Sequence, residues 1–353
     1  MPLALVPYTA AHVAAVRDLN LRLSQGGSSD LLLPETPDPG WLPDLELYVA
    51  EEADKVRGGY ILRRQQFLVC GQRTQAAHYR LPVSEGQVDR AYASLGLRLV
   101  RDALAREPRL YAMGMSGWHK PLPKMLQAMK WRMCEVPFHF KVLRPARFLR
   151  NIRALRTSAA RSFAMDFAAW SGAGWIGMKA MGQARRLPAQ SCDLAPSFAG
   201  WADDVWRNSC DAYALLAIRD AATLDAIYPP ADPRFLRVRT ADGWALALDT
   251  CMQEDKYFGN LRVGTIADCL APPPAAAAVT RAATALLESR GVDLIISNQL
   301  HGAWSRALLD AGFRRGPSNY LLAMSPAFAA AAGSARDDGF HINRGDGDGP
   351  IHL

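Results

Sequence analysis

Side chains able to take up or give a proton lie on two strand-like runs in the first quarter of the chain. Glu51 and Glu52 end one run, and His78 with Tyr79 stand inside another. Such groups act as general acids or bases when they lie within hydrogen-bond reach of a reacting atom. Each also has a structural interpretation, as a packed strand residue or a solvated turn carboxylate. The sequence leaves both interpretations open.

A further candidate, His119, opens a segment that occurs twice. Residues 119–131 and 301–313 align without a gap, and both begin with His and end in an aromatic residue. An apolar strand-like run precedes each copy and another follows it. The dipole at a helix N-terminus favours a neutral imidazole that can accept a proton, although recurrence can equally reflect helix capping. A strand–helix–strand unit used twice predicts two domains of one fold.

Alternating strands and helices position these residues. Hydrophobic periodicity predicts helices at 12–23, 91–106, 201–227 and 275–290, and strands at 45–50, 59–71, 75–83, 235–240, 244–251 and 261–270. Each half therefore has the order helix, three strands, helix, strand, helix, strand, which predicts an α/β fold around a mixed sheet. We expect an N-terminal domain over 1–143, a linker over 144–190, a second domain over 191–330 and a tail over 331–353.

The linker carries the positive charge of the chain. The formal net charge is +7, and residues 144–190 hold nine Arg or Lys against one acid. Arginines recur at every third position from Arg144 to Arg156 with apolar residues between them, which predicts a basic amphipathic helix. Over 144–161 it can pair with acids of either domain, or dock on an anionic surface such as acidic lipid headgroups or a glycan. No motif supports nucleic acid as a partner.

Composition predicts a globular cytoplasmic protein. Half of the residues are apolar, yet no run of about 18 apolar residues predicts a membrane span, and the start lacks the basic region of a secretory signal. Six scattered cysteines without a C-x-x-C pair predict reduced thiols, with neither a disulfide framework nor a zinc site. Asp346 and Asp348 form part of a calcium-loop pattern but lack its further ligands. We therefore predict no metal site.

Several local features resemble the GNAT superfamily of acyl-CoA-dependent N-acyltransferases. Gly59 follows a turn at 55–58 that looks like the family's β2–β3 hairpin. The run LPVSEG at 81–86 is similar to the end of its β4, and DAGF at 310–313 to the close of its last helix. The resemblance implies two GNAT-like domains in tandem, of a long bacterial type linked to envelope polysaccharide pathways. Pro82 inside a strand predicts either an edge strand or a bulge. The resemblance implies the bulge, since in the family β4 bulges there and parts from β5 around the acyl-CoA.

The resemblance places the acyl-CoA pyrophosphate at residues 87–96. The family carries Q/R-x-x-G-x-G/A there, because small residues let backbone amides at a helix N-terminus approach the phosphates. Here Ala and Ser replace most of the glycines, and Arg90 supplies a cation. The implied acyl-CoA contacts are Leu81, Val83, Ser84, Gln87, Arg90, Ala91, Ala93, Ser94 and Gly96. Among these, the Val83 amide would face the thioester oxygen. In the second half three prolines at 272–274 remove donors, so we expect no CoA there.

One feature of the family is missing from both halves. Leu126 and Leu308 occupy the positions at which many GNAT enzymes carry the Tyr that protonates the departing thiolate. Another group would have to serve, or neither half acetylates by the usual route. Positioning of amine and thioester together still supplies most of the catalysis such a site needs.

The resemblance therefore implies an acyl-CoA-dependent N-acyltransferase whose first half holds acetyl-CoA or another acyl-CoA. Its acceptor would be a small amine or an amino sugar. His78 or Tyr79 would take the proton of the amine, and Glu51 and Glu52 would lie near the substrate entrance. The first alternative is a non-catalytic tandem scaffold or glycan-binding protein. The second is an aminoacyl-tRNA-dependent aminoacyltransferase of the peptidoglycan type, whose basic linker would bind RNA in a salt-dependent way.

Overall fold

Two compact units make up the fold. The computed structural model describes residues 3–28, 31–40, 43–153 and 192–347. Unit 1 comprises Met1–Glu135 and Asn319–Ser334, and unit 2 comprises Val136–Ser318 and Ala335–Leu353. Each unit is a mixed sheet with helices, so the predicted α/β fold class is confirmed.

Unit 1 is built on a sheet with the strand order β1-β2-β3-β4-β5-β15-β6. Its strands are β1 (Ala4–Pro7), β2 (Leu45–Glu52), β3 (Lys55–Val69), β4 (Gln72–Ser84), β5 (Leu110–Gly114), β6 (Arg132–Glu135) and β15 (Leu321–Met324). Its helices are α1 (Val13–Gln25), α2 (Leu95–Arg106), α3 (Pro121–Ala128) and α9 (Pro326–Ala332). The neighbours β4 and β5 are parallel, whereas the other neighbours are antiparallel.

Side chains on the two faces of this sheet form two apolar cores, because strand residues alternate in direction. On one face Ile61 and Val83 pack with Leu19 of α1. On the other face Tyr60 and Tyr79 pack with α2 and α3. The helices predicted at 12–23 and 91–106 are thus confirmed, and their apolar stripes are the faces that they bury.

Unit 2 repeats the architecture with the strand order β14-β7-β13-β12-β11-β10-β8. Its strands are β7 (Phe138–Val142), β8 (Asp193–Ala195), β9 (Leu215–Ala217), β10 (Leu236–Arg239), β11 (Trp244–Cys251), β12 (Arg262–Leu270), β13 (Leu294–Asn298), β14 (Arg314–Gly316) and β16 (Phe340–His341). Its helices are α4 (Pro145–Asn151), α5 (Gly200–Ser209), α6 (Ala221–Ile227), α7 (Ala276–Ser289) and α8 (Gly302–Asp310). The short strands β9 and β16 pair in parallel.

The two halves of the chain exchange one strand each. The repeated strand–helix–strand units are confirmed as β5-α3-β6 and β13-α8-β14. However, β15 lies between β5 and β6, and β7 lies between β13 and β14. The strand-like run that follows each repeated helix is divided into two strands. The divisions lie near Pro137 and Pro317, because a proline lacks the amide needed to continue a strand ladder. Beyond each division the chain enters the other unit.

Two further expectations from the sequence differ from the structure. The single helix expected over 201–227 was wrong, because α5, β9 and α6 share that stretch. The apolar run around β9 fits a buried strand as well as a helix, and Asp220 starts α6 by accepting the Thr223 amide at 2.9 Å. The chain after Pro326 was expected to be loose up to the run that starts at His341, but Pro326–Ala332 form α9, whose Phe328 is buried. Residues 340–346 are largely buried as well.

The basic linker is described only in its first part. α4 is helical as expected, and Nη1 of Arg144 and of Arg147 lie 3.6 and 3.4 Å from the Asp293 carboxylate of the same unit. These two arginines therefore follow the interpretation in which the linker pairs with acids. The predicted helix beyond residue 153, with Arg156, lies outside the described residues.

Candidate functional site

A cleft opens in unit 1 where β4 and β5 part. The two strands pair in parallel at Ala77 with Leu110 and at His78 with Tyr111. Past these positions β4 follows β3 to Ser84, while β5 follows β15 to Gly114. We call the space between residues 79–84 and 112–114 the unit 1 cleft. Its closed end is at His78, and its open end is at Ser84.

A β-bulge on β4 accompanies the cleft, as the resemblance implied for the proline in this strand. Gly59 pairs with Val83 and Ile61 pairs with Arg80, so Leu81 and Pro82 share one place in the ladder. Leu81 adopts a left-handed φ of 44°, which a non-glycine residue reaches only at a cost. A Cβ on Gly59 would lie 2.5 Å from the Tyr48 carbonyl oxygen. The turn predicted at 55–58 was wrong, because β2 and β3 are joined at residues 53–54 and residues 55–58 already lie in β3. Glycine is required at position 59 because a side chain there would collide with the Tyr48 backbone and the Leu33 side chain.

The N-terminus of α2 stands at the open end of the cleft. Residues 85–94 form two short 3₁₀ turns before α2 begins at Leu95. The first amides of a helix have no intrahelical acceptor and attract anions. Arg90, Ala91, Ala93 and Ser94 are exposed there, and a Cβ on Gly96 would meet no heavy atom within 4 Å. The loop thus leaves space over the first turn of α2, which suits a phosphate group.

Several of these loop residues hold the loop itself. Asp89 accepts the Ala91 amide at 2.9 Å, and the Ser84 hydroxyl accepts the Gly86 amide at 3.1 Å. The Gln87 side chain accepts the Ser28 hydroxyl at 2.6 Å. These contacts fix the path of the loop, so Ser84 and Gln87 position neighbouring groups in this structure.

A network of charges that the sequence did not reveal braces the same end of β4. The buried Glu85 carboxylate accepts hydrogen bonds from Arg22 at 2.6 Å and Arg57 at 3.1 Å. Arg57 also lies 3.3 Å from Glu52 and over the ring of Tyr92. Arg22 and Arg57 lie 63 and 28 positions from Glu85 in the chain, so their pairing depends on the tertiary fold. Their arrangement rigidifies the entrance to the cleft.

The candidate carboxylates lie near this network but differ in their contacts. Glu52 accepts a hydrogen bond from the Tyr92 hydroxyl at 2.6 Å, and this bond lowers the pKa of Glu52. An ionised, engaged carboxylate of lowered pKa is a weak proton acceptor. Glu51 is partly exposed and lies 3.9 Å from the His12 imidazole. Both carboxylates end β2, one strand removed from β4.

His78 and Tyr79 point to opposite faces of β4. Burial lowers the pKa of His78 well below its usual range, and the charges of Arg80 and Arg63 lower it further. Burial raises the pKa of Tyr79 well above its usual value. Both side chains are therefore uncharged at neutral pH. His78 shares its face with Arg63 and Arg80, whereas Tyr79 faces the core under α2.

The two repeated histidines differ in role. His301 is the N-cap of α8, where its Nδ1 accepts the Ala303 amide at 3.2 Å, and burial lowers its pKa. This is the capping interpretation. His119 is exposed and precedes the N-cap of α3, which is Lys120. The structure does not bring the candidate residues into one set. Glu51 and Glu52 end β2 near the open end of the cleft, His78 and Tyr79 lie at its closed end on opposite faces of β4, and His119 precedes α3.

Unit 2 has a similar bulge, but its cleft contains part of the chain. Leu246 pairs with Asp268 and Ala247 with Ile266, so Ala267 is the extra residue of β12. β12 and β13 pair in parallel through Ile266 and Ser297. Beyond them the tail enters: the Leu300 amide donates to the Ile342 carbonyl at 3.0 Å, and Asn343 donates to the Asp268 carboxylate at 2.8 Å.

A buried cluster of charges anchors this tail. Arg219 donates to Asp268 at 2.9 Å and to Asp346 at 2.8 Å, and all three side chains are almost fully buried. A Cβ on Gly345 would lie 2.5 Å from the Tyr228 hydroxyl oxygen. Residues 340–346 therefore occupy, in unit 2, the place that is open between β4 and β5 of unit 1.

The described part of the chain contains neither a cluster of metal ligands nor a disulfide. It contains no group of three His, Cys, Asp or Glu side chains arranged to hold a metal ion. The six cysteines are free thiols. Among its helices none combines the length and hydropathy of a membrane crossing.

Comparisons with known proteins define the fold. No protein-family model and no curated protein matches the sequence. A GCN5-related N-acetyltransferase from Kribbella flavida matches with a TM-score of 0.55 and 14% identity, over 95% of this chain and 74% of that one. Saccharomyces cerevisiae N-myristoyltransferase, solved with bound myristoyl-CoA, matches with a TM-score of 0.53 and 11% identity, over 92% and 78%. A probable N-acyltransferase from Enterococcus faecalis matches with a TM-score of 0.51 and 10% identity, over 91% and 72%. The chain thus has a two-unit GNAT-like fold, and identities this low show the fold alone.

Proposed function

We propose that the protein is an acyl-CoA-dependent N-acyltransferase whose unit 1 binds the acyl-CoA. The observation that carries the proposal is the unit 1 cleft with the N-terminus of α2 at its open end. That pair of features gives an anion-binding helix terminus and a slot between two parted strands. The solved N-myristoyltransferase of similar fold binds myristoyl-CoA, which supports the same ligand class here.

The residues present fit such a co-substrate. The exposed first turn of α2, with Arg90 beside it, would hold the pyrophosphate through backbone amides and one guanidinium. The extended arm would then lie in the cleft along residues 79–84. The resemblance implied that the Val83 amide would face the thioester oxygen. Val83 lies beside the open end of the cleft, five residues from His78, so its amide would donate to the extended arm, and the thioester would lie deeper, towards His78. The roles of Leu81, Ala91, Ala93, Ser94 and Gly96 are to keep the path of the loop and to leave space.

Unit 2 is proposed to be a structural partner that binds no CoA. Its cleft holds residues 340–346, and prolines 272–274 precede α7, so fewer amides face outward. Releasing the tail would separate Arg219 from Asp346, both buried. A separation of this kind costs about 3–5 kcal/mol. CoA would have to supply that free energy before binding to unit 2.

Positioning of the amine against the thioester would supply most of the rate. His78 lies at the closed end of the cleft and is neutral, so it can accept a proton from an amine, although its low pKa makes it a weak base. Tyr79 remains a proton donor of high pKa. The proposed acceptor is a small amine or an amino sugar, and the proposed location is the cytoplasm. The basic segment over 144–161 is a candidate contact for an anionic surface.

A non-catalytic role is the second candidate, and one observation favours it. Leu126, at the position where many enzymes of this fold carry a proton-donating Tyr, is fully buried in the core of unit 1. A CoA-binding protein without turnover would need no donor at that position.

Calorimetric titration with acetyl-CoA and with free CoA, followed by an assay of thiol release with a panel of amines, tests the proposal. We expect binding to the wild type and its loss in Ala93→Leu, because a bulky side chain would keep the phosphates from the α2 amides. Binding with no thiol release would support the non-catalytic role. No binding at millimolar ligand would contradict the proposed function.

A further inference from the structure

A row of polar side chains crosses unit 1 at the closed end of its cleft. Arg63 on β3 stands directly opposite His78 on β4, and His78 stands next to Tyr111 on β5. The rings of His78 and Tyr111 stack with centroids 4.7 Å apart and an interplanar angle of 7°. The Tyr111 hydroxyl donates to Gln65 at 2.9 Å. These side chains share one face of the sheet.

Arg63 and His78 keep unsatisfied polar atoms although they are buried. Arg63 is 3% exposed and His78 is 1% exposed. Among the described residues, neither Nη1 of Arg63 nor Nδ1 of His78 has a hydrogen-bond partner. A buried donor without an acceptor costs about 1–3 kcal/mol, and more when it is charged. Native proteins rarely keep such groups, and each is explained by strain, by a catalytic role, or by a water or ion that supplies the missing partner. Functional sites are among the places where this rule is broken.

The charge at this position is fixed and positive. A neutral His78 adds no charge of its own, because burial and the nearby arginines suppress its protonation. Arg63 is always charged and presents a planar set of donors that matches a carboxylate. The walls beside it are aromatic, since Phe67 packs against Tyr111 and against Phe328 of the same unit at centroid distances of 5.3 and 5.4 Å. Such walls favour a small monoanion over a phosphate dianion, whose desolvation costs more.

The row also lies where the reacting groups of the proposed function would meet. His78 and Tyr111 are the last paired residues before the strands part. From Ser84 to His78 the cleft extends about 20 Å, at about 3.3 Å per residue. A co-substrate with its phosphates at α2 and its arm in the cleft therefore directs its acyl end towards Arg63 and His78.

We propose that the closed end of the unit 1 cleft binds a carboxylate of the substrate, with Arg63 and His78 as its binding residues. The inference rests on the proposed function and names its substrate class. The carboxylate has two sources: the far end of a dicarboxylic acyl group on CoA, or the carboxylate of an amino acid acceptor. In either case Arg63 donates hydrogen bonds to the carboxylate oxygens and thereby selects carboxylate-bearing substrates.

The test measures two ratios on the full chain. Calorimetry compares succinyl-CoA with acetyl-CoA, and a thiol-release assay compares alanine with alaninamide as acceptor. We expect at least one carboxylate-bearing substrate, succinyl-CoA or alanine, to be preferred more than tenfold over the compound it is compared with. The first ratio identifies the acyl group as the source, and the second identifies the acceptor. Arg63→Met should bring that ratio close to one.

Arg64→Met is the matched control, because Arg64 is the next residue of β3, points to the opposite face and pairs with Glu46 and Glu107. It should leave both ratios unchanged. Melting of the ligand-free protein gives an independent readout. Arg63→Met should raise the melting temperature by about 2–4 °C, since it removes a buried charge kept for a ligand. An arginine with a purely structural role would lower that temperature when replaced.

The outcomes separate this inference from the proposed function. Failure of free CoA to bind overturns both. Binding of CoA with both ratios near one overturns the carboxylate site alone. A tenfold ratio that survives in Arg63→Met also overturns it, because another group must then select the substrate. If Arg63→Met does not fold, the wild-type ratios and the variant Arg63→Lys test the carboxylate site instead. Arg63→Lys should keep only part of the preference for the substrate that bears the carboxylate.

Discussion

Substitutions at Gly96 should separate the structural from the binding role of the first turn of α2. Gly96 is the second residue of the helix, and a Cβ there would meet no heavy atom within 4 Å. Alanine is more favourable than glycine within a helix by about 0.5–1 kcal/mol. Gly96→Ala should therefore raise the free energy of unfolding by up to this amount, and the melting temperature by about 1–3 °C.

Gly96→Leu should fold equally well but lose CoA. Its side chain has space in the ligand-free protein, yet it would cover the outward amides of the first turn. Each hydrogen bond to a charged group contributes about 1.5–3 kcal/mol. The loss of two such bonds amounts to about 3 kcal/mol or more, so affinity should fall by a factor above about 100. Calorimetric titration with CoA measures this change, and thermal melting confirms that the variant is folded.

The matched control is Ala277→Leu. Ala277 is the second residue of α7, the corresponding helix of unit 2, and it is also only partly buried. We expect wild-type CoA affinity from this variant. If Ala277→Leu abolished binding while Gly96→Leu preserved it, the reasoning that places the acyl-CoA in unit 1 would be refuted.

Three further expectations follow from charged groups. Arg90→Ala should weaken CoA binding by about 1–3 kcal/mol in the same titration, and added salt should narrow the difference from the wild type because the contact is exposed. Arg219→Met deprives two buried carboxylates, Asp268 and Asp346, of a guanidinium and should cost about 3–5 kcal/mol in urea unfolding of unit 2; an unchanged midpoint would contradict the anchoring role of this cluster. Burial lowers the pKa of His139 from 6.5 to about 4, so the unfolded chain binds the proton first, and stability falls as the pH decreases between these values, by up to about 3 kcal/mol. The melting temperature of His139→Gln should change less with pH over this range. An equally steep decrease in the variant would show that another group causes the pH dependence.

Local patterns in the sequence predicted most of the elements and part of the site. The repeat starting at His119 and His301 predicted the strand–helix–strand units, because short-range periodicity determines them. Pro82 predicted an edge strand or a bulge, since proline removes a ladder donor, and the structure has the bulge. The small residues from Ala91 to Gly96 predicted an accessible helix terminus. All of these signals are carried by neighbours in the chain.

The features that the sequence did not reveal depend on long-range pairing. Arg63 and Arg64 are adjacent in one strand-like run, and nothing local shows which of them is buried without a partner. The Arg22–Glu85–Arg57 network joins three distant segments. The sequence also does not show that β7 and β15 each pair in the other unit. An apolar run can pair with any sheet edge that accepts its length and register.

The place of β15 has a consequence for the order in which the molecule can be made. β5 emerges from the ribosome about 200 residues before its neighbour β15, and the Leu110 amide receives its acceptor from the Ser325 hydroxyl, 215 residues later. A nascent chain released from the ribosome only up to residue 318 would expose the edges of β5 and β6, which are open to pairing with another chain. Unit 1 can therefore close only after residues 319–334 have been made, and a nonsense codon just before residue 319 should disable unit 1 although most of that unit precedes it.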